Sequence, residues 1–213
     1  MSELKLLPRG SYVGVNHDDP IRFYYWPILG RLYRRRIELC LAECTGGERV
    51  LEIGFGSGLT FMNLREKYQE IHGLDLTADA AAVQSAFAAR GLSADLRSGS
   101  VLQMPYADGQ FDTVLLISIL EHLKPSQQMQ AFSEIRRVLK PGGQVVYGVP
   151  VERPLMVWMF RLLGYDIRQH HFSTQRNVSD TAESLLQKVR VRSMPATPAF
   201  LGSVYEIGHF LRT

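Results

Sequence analysis

Arg49-Val-Leu-Glu-Ile-Gly-Phe-Gly-Ser-Gly58 decides the reading of this chain. Val50, Leu51 and Ile53 form an apolar, partly β-branched run suited to a buried strand. Gly54, Gly56 and Gly58 follow at alternating positions, and without a Cβ they let the backbone turn sharply and approach a bound molecule. Leu59, Met62, Leu64 and Tyr68 have helical spacing, which predicts a helix over Leu59 to Tyr68 with its free amides facing the turn. Strand, glycine turn and helix together predict a cradle for a nucleotide-like cofactor. A dinucleotide fits it poorly, because Leu59 stands where the third glycine of G-x-G-x-x-G belongs. Glu52 would also repel a pyrophosphate, while it could receive an ammonium or a hydroxyl.

The pattern Glu52-x-Gly54-x-Gly56-x-Gly58 resembles motif I of the class I S-adenosylmethionine-dependent methyltransferases. Ile71-His-Gly-Leu-Asp75-Leu76 reads as a second strand with an acidic end, 21 positions after Gly54, where a ribose-binding carboxylate falls in a first βαβ unit. Gly99-Ser-Val-Leu-Gln-Met-Pro-Tyr106 is similar to the family's G-D-A-x-x-L-P-F segment, with Ser100 in place of the aspartate that accepts from adenine. A hydroxyl accepts more weakly than a carboxylate. Gly109-Gln-Phe-Asp112-Thr-Val-Leu-Leu-Ile-Ser118 follows the family's F-D-x-V strand, and Ile119-Leu-Glu-His122-Leu resembles the segment behind it. Leu139-Lys-Pro-Gly-Gly143 before Val145-Val146-Tyr147 matches the turn into a fifth strand. These motifs keep the family's order between residues 49 and 149.

The resemblance implies a Rossmann-like α/β fold: a seven-stranded, mainly parallel sheet with one antiparallel strand and helices on both faces. It implies S-adenosylmethionine as donor, S-adenosylhomocysteine as product and no metal. Glu52 and the amides of Gly54, Gly56 and Gly58 would hold the methionine part. Asp75 would accept both ribose hydroxyls, Leu76 would lie against the adenine face, and Ser100 with Val101 would contact the adenine. Ser118 would line the donor pocket.

Independently of that likeness, strands and helices alternate along the chain, which argues for a mainly parallel sheet covered on both faces. Leu29, Leu32, Tyr33, Ile37, Cys40, Leu41 and Cys44 make a helical stripe between Ile28 and Cys44. Thr77 reads as the cap of a helix from Ala78 to Arg90, a polar strand spans Ala94 to Ser98, and Pro125 opens a helix to Leu139. Asp180 to Glu183 reads as a capping box for a helix to Lys188. Val189 to Arg192 and Val204 to Leu211 then read as strands with no helix between them, hence antiparallel.

The 213 residues suit a single domain: an arm and helix (1–44), a cofactor core (45–149), a substrate-side insert or lid (150–178), and a last helix with a strand pair (179–213). Apolar content of 46% and charged content of 21% are ordinary for a globular protein, and a net charge of +3 is too small to predict nucleic-acid binding. No apolar run is long enough for a membrane span, and the first residues lack a secretory core. Cys40 and Cys44 have no His or Cys cluster beside them, so they read as packed, reduced thiols of a cytoplasmic protein.

The acceptor side falls to two segments outside the core. One is Phe23-Tyr-Tyr-Trp26 with Arg34-Arg-Arg36; the other is the insert, with Leu155 to Phe160 and His170-His171-Phe172. His171 leads as a proton acceptor, since histidine titrates near neutral pH; His170 could take that part, and either could be a structural histidine. His122 matches a family position near the donor, or else is a structural histidine. Tyr25, with Tyr24, reads as packing or as a cover that orients the acceptor. Arg34, Arg35 and Arg36 read as a solvated helix face, or else as a hold on an anionic substrate or lipid. The expectation is methyl transfer to a small molecule through O, N or C, with at most peripheral membrane contact. The core also resembles that of quinone and phospholipid methyltransferases, so the acceptor could be amphipathic or lipid-like. A nicotinamide-dependent oxidoreductase and a non-catalytic binder of the donor remain alternatives.

Overall fold

A computed structural model of the chain describes residues 3–14, 20–27, 29–151, 172–195 and 202–213. Seven strands form one sheet in the order β3-β2-β1-β4-β5-β7-β6. They are β1 (Gly47–Ile53), β2 (Tyr68–Asp75), β3 (Asp95–Ser98), β4 (Phe111–Ile117), β5 (Leu139–Pro150), β6 (Gln187–Pro195) and β7 (Ser203–Leu211). The first five pair in parallel, and β7 runs antiparallel to both β5 and β6. The sheet is therefore mainly parallel with one reversed strand, as expected.

Alternation along the strands divides the core in two. Val50, Leu115 and Val146 face a layer containing Ile37, Cys40, Phe61 and Phe87. Leu51, Val114, Val145 and Tyr147 face the opposite layer, with Phe132, Ile135, Val138, Val178 and Ala182. The period of two sends neighbouring residues to opposite faces, and helices cover both. Those helices are α1 (Leu29–Glu43), α2 (Phe61–Leu64), α3 (Ala80–Ala88), α4 (Pro125–Val138) and α5 (Gln175–Leu185). Among the described residues no helix is long and apolar enough to cross a membrane.

Three elements depart from the sequence reading. The helix expected over Leu59 to Tyr68 shrinks to Phe61–Leu64, and Tyr68 opens β2 instead. Tyr68 is buried and its hydroxyl donates to Thr113 Oγ1 of β4 at 2.8 Å, while Lys67 Nζ donates to the carbonyls of Leu41 and Cys44, each at 2.7 Å. These tertiary bonds outweigh the helical spacing. Thr77 does not cap α3: its amide and that of Ala78 donate to Asp75 Oδ1, so α3 starts at Ala80 under an Asp79 side-chain cap. Finally, α5 starts at Gln175 with Thr174 and Asn177 as its reciprocal cap, which leaves Asp180 and Glu183 inside the helix and Lys188 in β6.

Residues 152–171 of the insert lie outside the described residues, with Leu155 to Phe160, His170 and His171 among them. Only its two ends are described. Val151 N donates to Val204 O, while Phe172 N and Ser173 N donate to Glu121 O. Both ends therefore lie beside the carboxyl ends of β4 and β5.

Candidate functional site

Ligands of open α/β sheets bind beyond the carboxyl ends of the strands, and there the expected residues converge. Gly54, Gly56 and Gly58 adopt φ of 75°, 50° and 75°, a region that L side chains rarely enter. A Cβ on Gly54 would stand 2.0 Å from Ile119 Cδ1, so the segment after β4 packs directly on the turn. The turn closes onto β2: Gly54 N donates to Leu74 O at 2.8 Å, and Gly56 N donates to Asp75 Oδ2 at 2.9 Å.

Asp75 therefore binds three amides, those of Gly56, Thr77 and Ala78. A carboxylate offers about four acceptor positions. The Thr77 hydroxyl adds a fourth, longer contact to Oδ1 at 3.4 Å, so Asp75 holds the loop together as well as edging the hollow. Leu76, the next residue, is 73% exposed beside a buried strand end. An exposed apolar side chain so placed gains by being covered, and a ring system could cover it.

Glu52 sits under the turn at 4% exposure, and the Thr60 hydroxyl donates to it. Burial pushes its carboxyl up to about 8, against the pull of that hydroxyl and with a smaller push from Asp75. A carboxyl so held ionises readily only when a cation arrives beside it. The hollow thus carries a latent negative charge at one end and an apolar face at the other. A sulfonium nucleoside bearing an α-ammonium fits that polarity.

Ser100 is half-buried, and its Oγ accepts from Leu102 N at 3.2 Å, so the hydroxyl shapes its own turn. Val101 is buried in the second core layer. Ser118, at the end of β4, is the one non-glycine with positive φ among the described residues, at 57°. Such a conformation costs on the order of 1–2 kcal/mol and is held here by two bonds. Ser118 N donates to Gly148 O at 2.8 Å, and its Oγ lies 2.9 Å from the Tyr205 hydroxyl.

Tyr205 was not singled out from sequence. It is fully buried, and a Cβ on Gly148 would stand 2.5 Å from its ring. The readable signal was Gly148 itself, a lone glycine inside a strand, which marks close approach of another group. Burial, then Cys40 and Glu121, hold the Tyr205 phenol well above its ordinary range, so it stays a neutral hydrogen-bonding group. His122 is exposed at the end of the short 3₁₀ segment Leu120–His122. The Tyr25 hydroxyl donates to Leu7 O, and Tyr12 OH accepts from Leu7 N at 3.0 Å. Tyr25 thus fastens the amino-terminal arm. That arm crosses α2, where Lys5 N donates to Asn63 Oδ1 at 2.9 Å, and places Gly14 against Val83 of α3.

Arg36 departs from the solvated face expected of it. Its guanidinium lies 4.2 Å over the Tyr33 ring and 5.2 Å from the Tyr205 ring centre, and Nη2 donates to the Tyr24 hydroxyl at 3.4 Å. A cleft of about 480 Å³ opens between α3 and β3, lined by Asp79, Gln84, Leu96 and Ser98. Among the described residues no three His, Cys, Asp or Glu side chains are grouped to hold a metal ion.

Residues 50–143 match the family described as a methyltransferase domain. The chain is 31% identical over 126 residues to ajmaline N-methyltransferase of Rauvolfia serpentina, covering 55% of this chain and 43% of that protein. It is 28% identical to a ubiquinone biosynthesis O-methyltransferase of Alkalilimnicola ehrlichii, over 74% of this chain and 58% of that protein. The chain spans about half the length of the curated relatives it matches. The fold is similar to that of the N-methyltransferase NodS of Bradyrhizobium japonicum WM9, solved with S-adenosylhomocysteine: TM-score 0.70, 20% identity, over 93% of this chain and 94% of that one.

Proposed function

We propose S-adenosylmethionine-dependent methyl transfer to a small-molecule acceptor for this chain, whose residues 50–143 match the methyltransferase-domain family. The observation that carries this reading is the pairing of the glycine turn with the buried, near-neutral Glu52 carboxyl. S-adenosylmethionine supplies a sulfonium-bound methyl group whose sulfur departs as a neutral thioether, so the donor comes already activated.

What the chain contributes is position, dryness and a place for a proton. Glu52 receives the ammonium, and the glycine turn lets the backbone approach the methionine part. Asp75 receives the ribose hydroxyls, the long Thr77 hydroxyl contact giving way to them, and Leu76 covers the adenine face. Val101 closes the adenine side, and the Ser100 hydroxyl keeps that turn in shape. Ser118 lines the pocket near the reacting carbon, oriented by Tyr205. For an O–H or N–H acceptor, His171 takes the proton, with His170 and then His122 as the other candidates.

A nicotinamide cofactor is opposed by the same geometry. α2 has only four residues and starts at Phe61, three positions beyond Gly58, so no extended helix end faces the turn. Buried Glu52 also stands where a pyrophosphate would bring negative charge.

Calorimetric titration with S-adenosylmethionine and S-adenosylhomocysteine tests the reading, followed by mass spectrometry of a metabolite extract incubated with protein and donor. Binding of both ligands and the gain of one methyl group on a defined metabolite are expected. Binding without any methylated product would leave a donor-binding protein; no heat from either ligand would overturn the proposal.

A further inference from the structure

Arg36 carries a positive charge that the described fold does not neutralise. Its contacts are the Tyr24 hydroxyl and the ring faces of Tyr33 and Tyr205, with no carboxylate among them. Its Nε is shut off from solvent and has no acceptor, while the residue as a whole is only partly buried. Ring faces offset part of the cost of removing a guanidinium from water, but they do not use its fork of in-plane N–H donors. A buried hydrogen-bond donor without a partner is destabilising, and such groups occur where a ligand completes them.

The position of this cation relative to the donor pocket is fixed by Tyr205. One side of its ring meets Arg36, while its hydroxyl meets Ser118 Oγ at 2.9 Å at the end of β4. Arg36 is therefore one side chain away from the serine that lines the methyl-transfer end of the cradle. The surrounding walls are aromatic, with Tyr24 and Tyr33 rings 5.4 Å apart between centroids.

We propose that Arg36, with Tyr24, Tyr33 and Tyr205, forms an anion-binding subsite that anchors the acceptor by a carboxylate or phosphate group. The acceptor then has a compact apolar body against the tyrosines and its nucleophilic atom directed past Ser118. The guanidinium fork pairs with two oxygens of the anion, which fixes orientation as well as position. This deepens the methyl-transfer reading and rests on it for the identity of the neighbouring pocket.

Calorimetry with benzoate, phenyl phosphate and the neutral analogue benzamide tests the subsite, with and without saturating S-adenosylhomocysteine. The wild-type protein binds at least one of the two anions about 10-fold or more tighter than benzamide, the range for a charged hydrogen-bond partner. Whichever anion wins tells carboxylate from phosphate. In Arg36→Gln the preference falls to about 2-fold or less, and Arg36→Lys keeps an intermediate preference because it keeps charge but not the fork. S-adenosylhomocysteine affinity stays unchanged in both variants. A purely structural arginine would lower the melting temperature and leave the anion preference intact, which overturns the proposal, as does equal binding of all three probes by the wild type. Should Arg36→Gln fail to fold, the Arg36→Lys series and the wild-type acid-to-amide ratio decide alone. Failure of S-adenosylhomocysteine to bind would instead strike the donor reading, and the ligand-free arm still judges the anion site.

Discussion

Replacing Glu52 by glutamine separates the two roles that the fold gives this carboxyl. In the folded chain burial raises it to about 8 from an ordinary 4.5. Between those values the unfolded chain has lost this proton and the folded chain keeps it. The folded state then binds more protons, so stability is full below about pH 4.5 and falls as pH rises toward 8. At about 1.36 kcal/mol per pH unit, the loss reaches on the order of 3 kcal/mol at pH 7. Glutamine has nearly the same shape, keeps an oxygen for the Thr60 hydroxyl and does not titrate. Glu52→Gln is therefore expected to be more stable than wild type by about 2–4 kcal/mol at pH 7, with the difference vanishing toward pH 4.5. Urea denaturation at half-unit steps from pH 5 to pH 8 reads this directly. The same variant loses the carboxylate that receives the ammonium, and S-adenosylmethionine affinity drops by about 1.5–3 kcal/mol. In the wild type, donor binding near pH 7 releases close to one proton, seen as a dependence of binding heat on the ionisation heat of the buffer. A variant with the wild-type slope of stability against pH, together with unaltered donor affinity, would refute the placement of Glu52 under the donor.

Asp75→Ala is expected to weaken S-adenosylhomocysteine binding by about 1.5–3 kcal/mol and also to destabilise the fold, because three loop amides lose their acceptor. Calorimetry and thermal melting together read both losses; a change in stability with no change in affinity would remove Asp75 from the ligand. Gly58→Ala puts a Cβ 2.7 Å from both Phe61 and Phe87 at a φ of 75°, and a cost of about 1–3 kcal/mol or more is expected in a denaturation curve. His171→Ala is expected to lower kcat about 100-fold or more while leaving S-adenosylhomocysteine affinity intact; an unchanged kcat would pass the proton role to His170 or His122. Burial pushes the Cys44 thiol up to about 12 and Cys40 higher still, so neither is expected to react with a thiol reagent at pH 8 until the chain unfolds.

The glycine turn and the acidic strand end were legible in the sequence because their signals are local. An apolar run ending at Ile53, three glycines and an acidic strand end are all contained within 26 residues, and each maps directly onto backbone conformation. What escaped depended on partners far along the chain. Tyr68 has the spacing of a helical residue, but Thr113, 45 positions later, draws it into β2. Arg36 looks like one of three solvated arginines until Tyr205 arrives from β7. Asp75 reads from sequence as an acidic strand end, and nothing in its neighbours' names shows that three amides converge on it. Helix starts failed for a related reason. Thr77 and Asp79 are equally good caps on paper, and the competition was settled by Asp75 taking the Thr77 amide first.

The reversed strand has a consequence for biosynthesis. β7 lies between β5 and β6, and it brings Tyr205 to Ser118 and Arg36. A nascent chain that has left the ribosome only as far as β5 already holds every glycine and carboxylate of the donor hollow. It does not yet hold Tyr205 or β7. The two sets of residues are thus separated in time during translation, and a chain stalled before Ser203 would have the glycine turn and its carboxylates without Tyr205 to meet Ser118 and Arg36.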